Sequence, residues 1–405
     1  VDPEGNQMPY IDEQILIQTE DRTVAAFRGM NGENDYYGGS MILSELPLYM
    51  ANMEKGDYSV YIFRSPAGTD SSTIINQEYT EDPEIGALLR TQDFRKALSI
   101  GVDRDKLNEV VASGIGVPQQ WVPHPITAYF PGQEYADLDT DYDPDAAKAL
   151  LAEMGYTDAN GDGFLDRKDG TGPLEMIFST SNSLTYPHAE VLADYWQRLG
   201  IKMRTATDST GGKINTPEPT LYFDQHYSLY SMNQWTVVWT RSFAGPSSPM
   251  GAGMGNYWAS FGESGMSPSG PDPMYMDSYG NMAPVGTYPA DISGNVKRQQ
   301  DIWRTGIQTG DVLNPARVEL GKEYWRIVAE EKYNIGQLAF MGIFRGMTMK
   351  RNNLRNVPKN HVALEAKGIL GAYYFEDGLD NFNNPGNRSQ KYKSVHFLDP
   401  EYWTQ

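Results

Sequence analysis

The sequence predicts an α/β fold with room for more than one domain. Three observations predict it. Residues 173–205 read as strand, helix, strand, the βαβ unit of a mainly parallel sheet. The helices on either side of residue 140 carry unusually clear start and stop residues. A chain of 405 residues is long enough to bury large cores and to divide.

The elements follow in chain order. Gln14-Ile15-Leu16-Ile17-Gln18-Thr19 reads as a strand, and a helix follows from about Arg22 to Met30. Tyr58 to Phe63 alternates as another strand. Phe94, Ala97 and Leu98 share one helical face, and Asp103 then caps a second helix. Gly114 to Pro118 forms a turn. Asp143 is an N-cap with Pro144 at the first helical position, and Gly155 closes that helix. Pro173 to Thr180 is a strand. A helix starting at Pro187 places Ala189, Leu192, Tyr195, Trp196 and Leu199 on one face and stops at Gly200. Ile201 to Thr205 alternates as the next strand, and Gln234 to Trp239 reads as the one after it. Residues 245–286 then turn rich in Gly, Pro, Ser and Met with interspersed aromatics. A structureless loop of that length is uncommon inside a domain. It is a surface excursion, a ligand-contacting lid or a subunit contact.

Four blocks carry a family resemblance by their order: Phe94 to Leu107 (FRKALSIGVDRDKL), Gly114 to Pro118, Tyr142 to Tyr156 (YDPDAAKALLAEMGY), and the strand Gly172 to Phe178 with Trp196 to Met203. Together they resemble the solute-binding proteins of ABC transporters, family 5, whose members take up peptides, nickel and some oligosaccharides. Gly5 to Asp12 is similar to that family's GN-LPYLD segment. Leu320 to Val328 and Asn353 to Pro358 are similar to its C-terminal helix and return strand.

The resemblance implies a two-lobe periplasmic-binding-protein fold of type II. Residues 1–56 then belong to lobe I, 57–342 form lobe II including the 245–286 loop, and 343–405 return to lobe I. Two crossings make a double-stranded hinge suited to closing. The chain begins at Val1, inside a family block, so it is expected to be the C-terminal part of a longer protein. Lobe II would be complete. Lobe I would lack an N-terminal segment and expose apolar surface.

The formal charge of −20 repels nucleic acid and anionic membrane, so neither is an expected partner. No cysteine is present, which removes disulfides and thiolate chemistry. No apolar run approaches the ~18 residues of a membrane-spanning helix. His124, His188, His226, His361 and His396 are scattered without metal spacing, and no nucleophile elbow or P-loop pattern occurs. No enzyme signature therefore stands out. A carbohydrate-active hydrolase with an aromatic-lined cleft stays open as an alternative, as does a ligand sensor for a chemoreceptor.

Ligands of doubly wound sheets bind at the carboxyl ends of the strands. Trp239 ends a predicted strand and matches the family's cleft tryptophan, with a core position as the alternative. Arg241 stands two residues on, where its guanidinium would clamp a carboxylate or hydroxyl or else remain a surface charge. Asn256, Tyr257 and Trp258 form a second cluster in the long loop. Asn76 and Gln77 offer amides to polyol hydroxyls, Trp121 follows a turn, and Tyr36 and Tyr37 follow an acidic turn. Each of these has packing or solvent exposure as its alternative. Peptide binders of the family commonly place an acid just after the cleft tryptophan. This chain has Arg241-Ser242-Phe243-Ala244-Gly245-Pro246 instead, which tilts the expected solute toward a neutral or acidic compound.

Asp158, Asn160, Asp162 and Asp166 alternate like the front half of a Ca²⁺ loop, with Gly163 after the third donor. The twelfth position holds Asp169 where a bidentate Glu is expected. The reading is open between a structural Ca²⁺ site and a solvated acidic turn. No cofactor is required. The expected protein is exported, periplasmic or anchored to the cell surface. It is monomeric, binds an oligosaccharide- or peptide-sized solute, and is partnered by an ABC permease.

Overall fold

The computed structural model describes residues 13, 15–19, 21–38, 41, 43–62, 71–75, 82–123, 125, 128–180, 186–207, 220–224, 274–276, 282–284, 293–309, 314–339, 347–355, 374–375, 392–393 and 396–397. The chain divides into two compact units, Val1–Ser65 with Phe340–Gln405, and Pro66–Ala339. Among the described residues no helix is long and apolar enough to cross a membrane.

Unit 1 opens with α1 (Arg22–Met30), whose N-cap Asp21 accepts a hydrogen bond from the Val24 amide at 2.9 Å. Then come β1 (Tyr36–Gly38), α2 (Leu46–Ala51), α3 (Met53–Gly56) and β2 (Tyr58–Ile62). The chain crosses to unit 2 and returns after Ala339. There the final long strand, Met347–Arg351, pairs antiparallel with both β1 and β2 and lies between them. This pairing explains where the crossings fall. The sequence reading sets them after residues 56 and 342, with Tyr58 to Phe63 leading out through the hinge. Instead β2 is held in unit 1 by its ladder, and the crossings follow Ser65 and Ala339.

The strand expected over Gln14 to Thr19 does not form over its described part. Residues 15–19 are irregular, and Ile15, Leu16 and Ile17 are exposed. A strand exists through its ladder, and an apolar run without a neighbouring strand does not make one. Val24, Phe27, Leu48 and Met50 are exposed too, so most exposed large apolar side chains among the described residues lie on unit 1.

Unit 2 runs β3 (Ser71–Ile75), α4 (Pro83–Leu89), α5 (Gln92–Ile100), α6 (Arg104–Ala112), β4 (Val117–Pro118), α7 (Gln133–Ala136), α8 (Pro144–Glu153), β5 (Glu175–Thr180), α9 (Tyr186–Arg198), β6 (Lys202–Thr207) and β7 (Thr220–Asp224). A short hairpin of β8 (Met274–Met276) and β9 (Met282–Pro284) follows, then α10 (Asn295–Gln308), α11 (Pro315–Glu331) and β10 (Asn334–Ala339). The returning strand of unit 1 is accordingly β11. The punctuation works as its chemistry dictates. The Asp103 carboxylate accepts from the Lys106 amide and that of Asp143 from the Ala146 amide. Gly155 and Gly200 take φ of +88° and +94°, the left-handed turn that ends α8 and α9.

Six strands form one mixed sheet in the order β4-β10-β3-β7-β5-β6. β5 is parallel to β6 and β7, β3 is antiparallel to β7 and β10, and β4 is antiparallel to β10. It follows that β5, β6, β7 and β10 point the same way. The core sits between this sheet and its helices. Trp196 of α9 is fully buried, stands edge-on to Phe178 of β5 at 5.1 Å, and donates its indole N–H to the Leu98 carbonyl at 3.0 Å. One side chain thereby ties α9, β5 and α5 together, while burial of its ring contributes roughly 3 kcal/mol.

His188 in the first turn of α9 is also buried, and desolvation pushes its imidazole down to about 4, partly opposed by a hydrogen bond to the Val111 backbone. The unfolded imidazole takes up its proton near 6.5, the folded one only near 4. Stability from this group is therefore full above pH 6.5 and is lost as pH falls from 6.5 toward 4, by about 3 kcal/mol in all. Melting curves of the parent and His188→Leu over that range check this. Their difference should slope below pH 6.5, and parallel curves would show that the folded imidazole titrates normally.

Candidate functional site

The sheet polarity of unit 2 selects one edge. The carboxyl ends of β5, β6, β7 and β10 lie there, together with the amino ends of β3 and β4. Strand carboxyl ends are where open α/β sheets bind ligands. Both crossings to unit 1 also leave from this edge, because Leu338 at the end of β10 is paired with Ser71 at the start of β3.

The edge is built from buried polar side chains. Ser71, Thr73 and Gln337 are all inaccessible. The Ser71 hydroxyl donates to Gln337 Oε1 at 3.4 Å, and Gln337 Nε2 donates to Thr73 Oγ1 at 2.9 Å. Gln337 is where the β10–β3 register shifts, between Gly336 and Leu338. The shift is a β-bulge, a device that re-aims side chains near binding sites. Gly336 leaves no room for a side chain there. A Cβ would stand 2.4 Å from the Trp121 nitrogen and 2.7 Å from the Gln119 carbonyl oxygen.

Two buried arginines support this region, Arg104 on β10 itself and Arg95 on the turn that precedes it. Arg104, at the start of α6, donates through Nε and Nη2 to the Gly336 carbonyl at 3.1 and 2.8 Å, and through Nη1 to the carbonyls of Ser99 and Thr140. Its pKa is pushed down to about 10 by burial, opposed by the charges of Asp139 and Asp141, and it stays protonated at neutral pH. Arg95 of α5 pairs with Glu331 at 2.8 Å and lies 4.9 Å from the centre of the Tyr333 ring. These residues belong to the FRKALSIGVDRDKL block, yet sequence reasoning assigned them no role. No local signal marked them, since Arg95 sits among Gln92, Asp93 and Lys96 as a surface arginine would.

The predicted site residues divide. Trp239, Arg241, Asn256, Tyr257, Trp258, Asn76 and Gln77 lie outside the described residues, as does the strand expected over Gln234 to Trp239. Trp121 is placed in the core of unit 2, 2% exposed, edge-on to Trp325 of α11 at 5.7 Å. Its ring packs on protein instead of facing a solute, because its backbone is pressed against Gly336. Tyr36 and Tyr37 are adjacent in β1 and so face opposite sides of the unit 1 sheet. Tyr37 turns toward the helices, with its ring close to Gly29 of α1 and to Met349. Burial pushes its hydroxyl up, helped by Glu45 and opposed by Arg22. Tyr36, opposite Lys350, points the other way.

The acidic loop is closed by its own amides. Asp158 accepts from the amides of Gly161, Asp162 and Gly163, Asn160 from that of Asp162, Asp162 from that of Phe164, and Asp166 from that of Ala159. Asp169 is turned away into Arg167, at 2.9 Å, and that pairing holds its carboxyl below the usual range. Arg167 also pairs with Asp82, so the loop is strapped to the start of α4. Among the described residues no group of three or more His, Asp or Glu side chains is gathered to hold a metal ion.

Known proteins resemble this chain in sequence and in fold. A family model described as "Bacterial extracellular solute-binding proteins, family 5 Middle" matches residues 4–260. The periplasmic alpha-galactoside-binding protein of Rhizobium meliloti is 27% identical over 228 residues, 50% of this chain and 31% of that protein. The oligopeptide-binding protein AppA of Bacillus subtilis is 27% identical over 125 residues, 30% of this chain and 22% of the relative. Among solved structures, the periplasmic binding protein MelB of Agrobacterium fabrum, in complex with stachyose, superposes with a TM-score of 0.58 at 17% identity, covering 84% of this chain and 47% of its own. The oligopeptide-binding protein OppA does so with a TM-score of 0.57 at 20% identity, covering 84% and 52%. The chain thus spans about half the length of these solved structures and a third or less of these curated relatives.

Proposed function

The chain belongs to the bacterial extracellular solute-binding proteins of family 5, and from that premise we propose that it captures an oligosaccharide- or oligopeptide-sized solute and delivers it to an ABC importer by hinge closure. The observation that supports this most is the double crossing: both connections between the units leave from the edge of unit 2 at which parallel strands present their carboxyl ends. The work is binding, with no bond made or broken and no cofactor required. The acidic loop strapped to α4 serves as a structural element. The protein acts as a monomer in the periplasm or at the cell surface, beside a membrane permease.

In this reading Trp239 is an aromatic platform for the solute, and Arg241 with Asn256, Tyr257 and Trp258 lines the same region. Ile75 ends β3 at the opposite end of the sheet from this edge, so Asn76 and Gln77 are left out of the solute contacts. Thermal shifts with a library of oligosaccharides and peptides test the proposal. A true solute at about 100-fold its Kd stabilises by roughly 3 kcal/mol. It should be recovered chemically unchanged, and a cleaved product would instead favour a hydrolase. Trp239→Ala should weaken binding by about 2 kcal/mol while the unit still folds. Unchanged affinity with a collapsed melting temperature would make Trp239 a core residue.

The charge of the solute follows from Arg241. No acid stands among the residues immediately after Trp239, so an ammonium brought there meets a guanidinium. A neutral tetrasaccharide should bind more tightly than a lysine-rich tetrapeptide in competition calorimetry. Tighter binding of the peptide, with Arg241→Ala leaving both affinities alone, would show that an acid elsewhere receives the amine.

A further inference from the structure

One imidazole joins α6 to α9. Val111 stands in the last turn of α6, where a helix cannot satisfy its own carbonyls. The two amides that could reach its carbonyl from the following turn are spent elsewhere: Gly114 donates to Asn108 and Ile115 to Ala112. His188, the third residue of α9, supplies the donor. Its ring is buried and bonded to the Val111 backbone in the sense that raises its proton affinity, so the imidazole donates and the carbonyl accepts. A side chain of one helix thereby caps the carboxyl end of another. The turn after α6 is fixed separately by Asn108, whose Nδ2 donates to the Gly116 carbonyl at 2.8 Å and whose Oδ1 accepts from the Gly116 amide at 2.9 Å.

The joint is apolar. α6 buries Leu107 and Ala112, and α9 buries Ala189, Leu192 and Ala193. The charges of the elements packed there look outward or lie at the far end. Asp105, Lys106 and Glu109 of α6 are exposed, as are Glu190, Asp194 and Arg198 of α9 and Lys202 and Arg204 of β6. Asp103 and the buried Arg104 belong to the opposite end of α6, and Glu175 opens β5 paired with Lys202. Burial lowers the ring's proton affinity and the Val111 bond raises it, and none of these charges enters the balance. A second proton on the ring is further opposed by the amino end of α9, the positive pole of that helix.

The position is what gives the joint consequence. β5 ends at Thr180 and α9 begins at Tyr186. The helix runs back to Arg198, and the chain re-enters the sheet at Lys202, beside Glu175 at the start of β5. The first turn of α9 therefore stands at the carboxyl edge of the sheet, where the candidate site lies. We infer that His188 is an acid-operated latch: seated, it caps α6 and holds the first turn of α9 on it, and when doubly protonated it leaves, opening this corner of the edge while the rest of unit 2 stays folded. The latch works within unit 2 and does not depend on the capture of a solute.

Backbone hydrogen exchange of the full chain, read by mass spectrometry and corrected for the intrinsic rate at each pH, tests this. The ring takes up its proton near 6.5 when free and near 4 when seated, so opening of the first turn of α9 and the last turn of α6 should rise about twentyfold between pH 7 and pH 5. α5, in the core of the same unit, should keep its protection over that range. His188→Gln offers an amide donor to the Val111 carbonyl but does not titrate, and it should abolish the rise. A flat response in the parent, an equal rise in α5, or a rise that survives in His188→Gln would each overturn the inference. If the variant does not fold, exchange of the histidine ring C–H in the parent reads the titration of His188 directly. A ring that titrates near 6.5 while the first turn of α9 stays protected would overturn the latch as well.

Discussion

Arg104→Ala should destabilise unit 2 by about 4 kcal/mol, one of the two largest effects expected of a single substitution in this chain. The side chain is 2% exposed and donates to three carbonyls and one hydroxyl. Its removal leaves the Gly336, Ser99 and Thr140 carbonyls short of donors in a dry interior and opens a cavity the size of a guanidinium. Among the described residues no carboxylate contacts Arg104 directly, so the loss comes from unsatisfied backbone and lost packing more than from a broken ion pair. Denaturant titration of the parent and the variant measures the loss. A change below about 1 kcal/mol would mean that water enters and satisfies the three carbonyls.

The second large effect is expected at Glu331. Its carboxylate pairs with Arg95 through one oxygen and accepts from Asn295 Nδ2 at 2.6 Å through the other, joining the end of α11 to α5 and to the start of α10. Glu331→Ala strands the Arg95 guanidinium, 2% exposed, without its counter-charge, at a cost of about 3–5 kcal/mol. Arg95 keeps its bonds to the carbonyls of Glu331 and Leu89, but neutral carbonyls do not replace a carboxylate's charge. Adding Arg95→Met to Glu331→Ala should recover part of the loss, because the double variant buries no unpaired charge. A double-mutant cycle reads this coupling, and strict additivity of the two substitutions would show that the pair is screened by water.

These two arginines show how much of the chain could be read without coordinates. The FRKALSIGVDRDKL block was legible as two helices and an aspartate cap, and both are present. That its arginines face inward was not. An arginine at one helical position reads like any surface charge until the partner arrives, and the partners here are Glu331 and Gly336, more than 230 residues away. Local spacing carries no information about such contacts. Trp121 failed for a related reason: an aromatic after a turn suits a cleft or a core equally, and only Trp325 on the far side of the chain decides for the core. Tyr36 and Tyr37 were read as a pair, but their strand sends them to opposite faces, so only their pairing with Lys350 and Met349 separates a candidate contact from a packing residue.

What the sequence determined by itself is what depends on neighbours in the chain. The helix caps at Asp103 and Asp143, the glycine stops at residues 155 and 200, the strand-helix-strand run from Glu175 to Thr207 and the order of family blocks all rest on short-range chemistry. Tertiary structure alone decided which strands pair. It left Ile15 to Ile17 without a ladder despite their apolar character, kept Tyr58 to Ile62 in unit 1 through Met347 to Arg351, and brought Ser71 beside Leu338 so that both crossings leave from one sheet edge. The physical reason is that a strand's hydrogen bonds are satisfied by another segment, whereas a helix satisfies its own. Helical elements are therefore written locally, and the edge on which the proposed capture depends exists only once residues hundreds of positions apart have met.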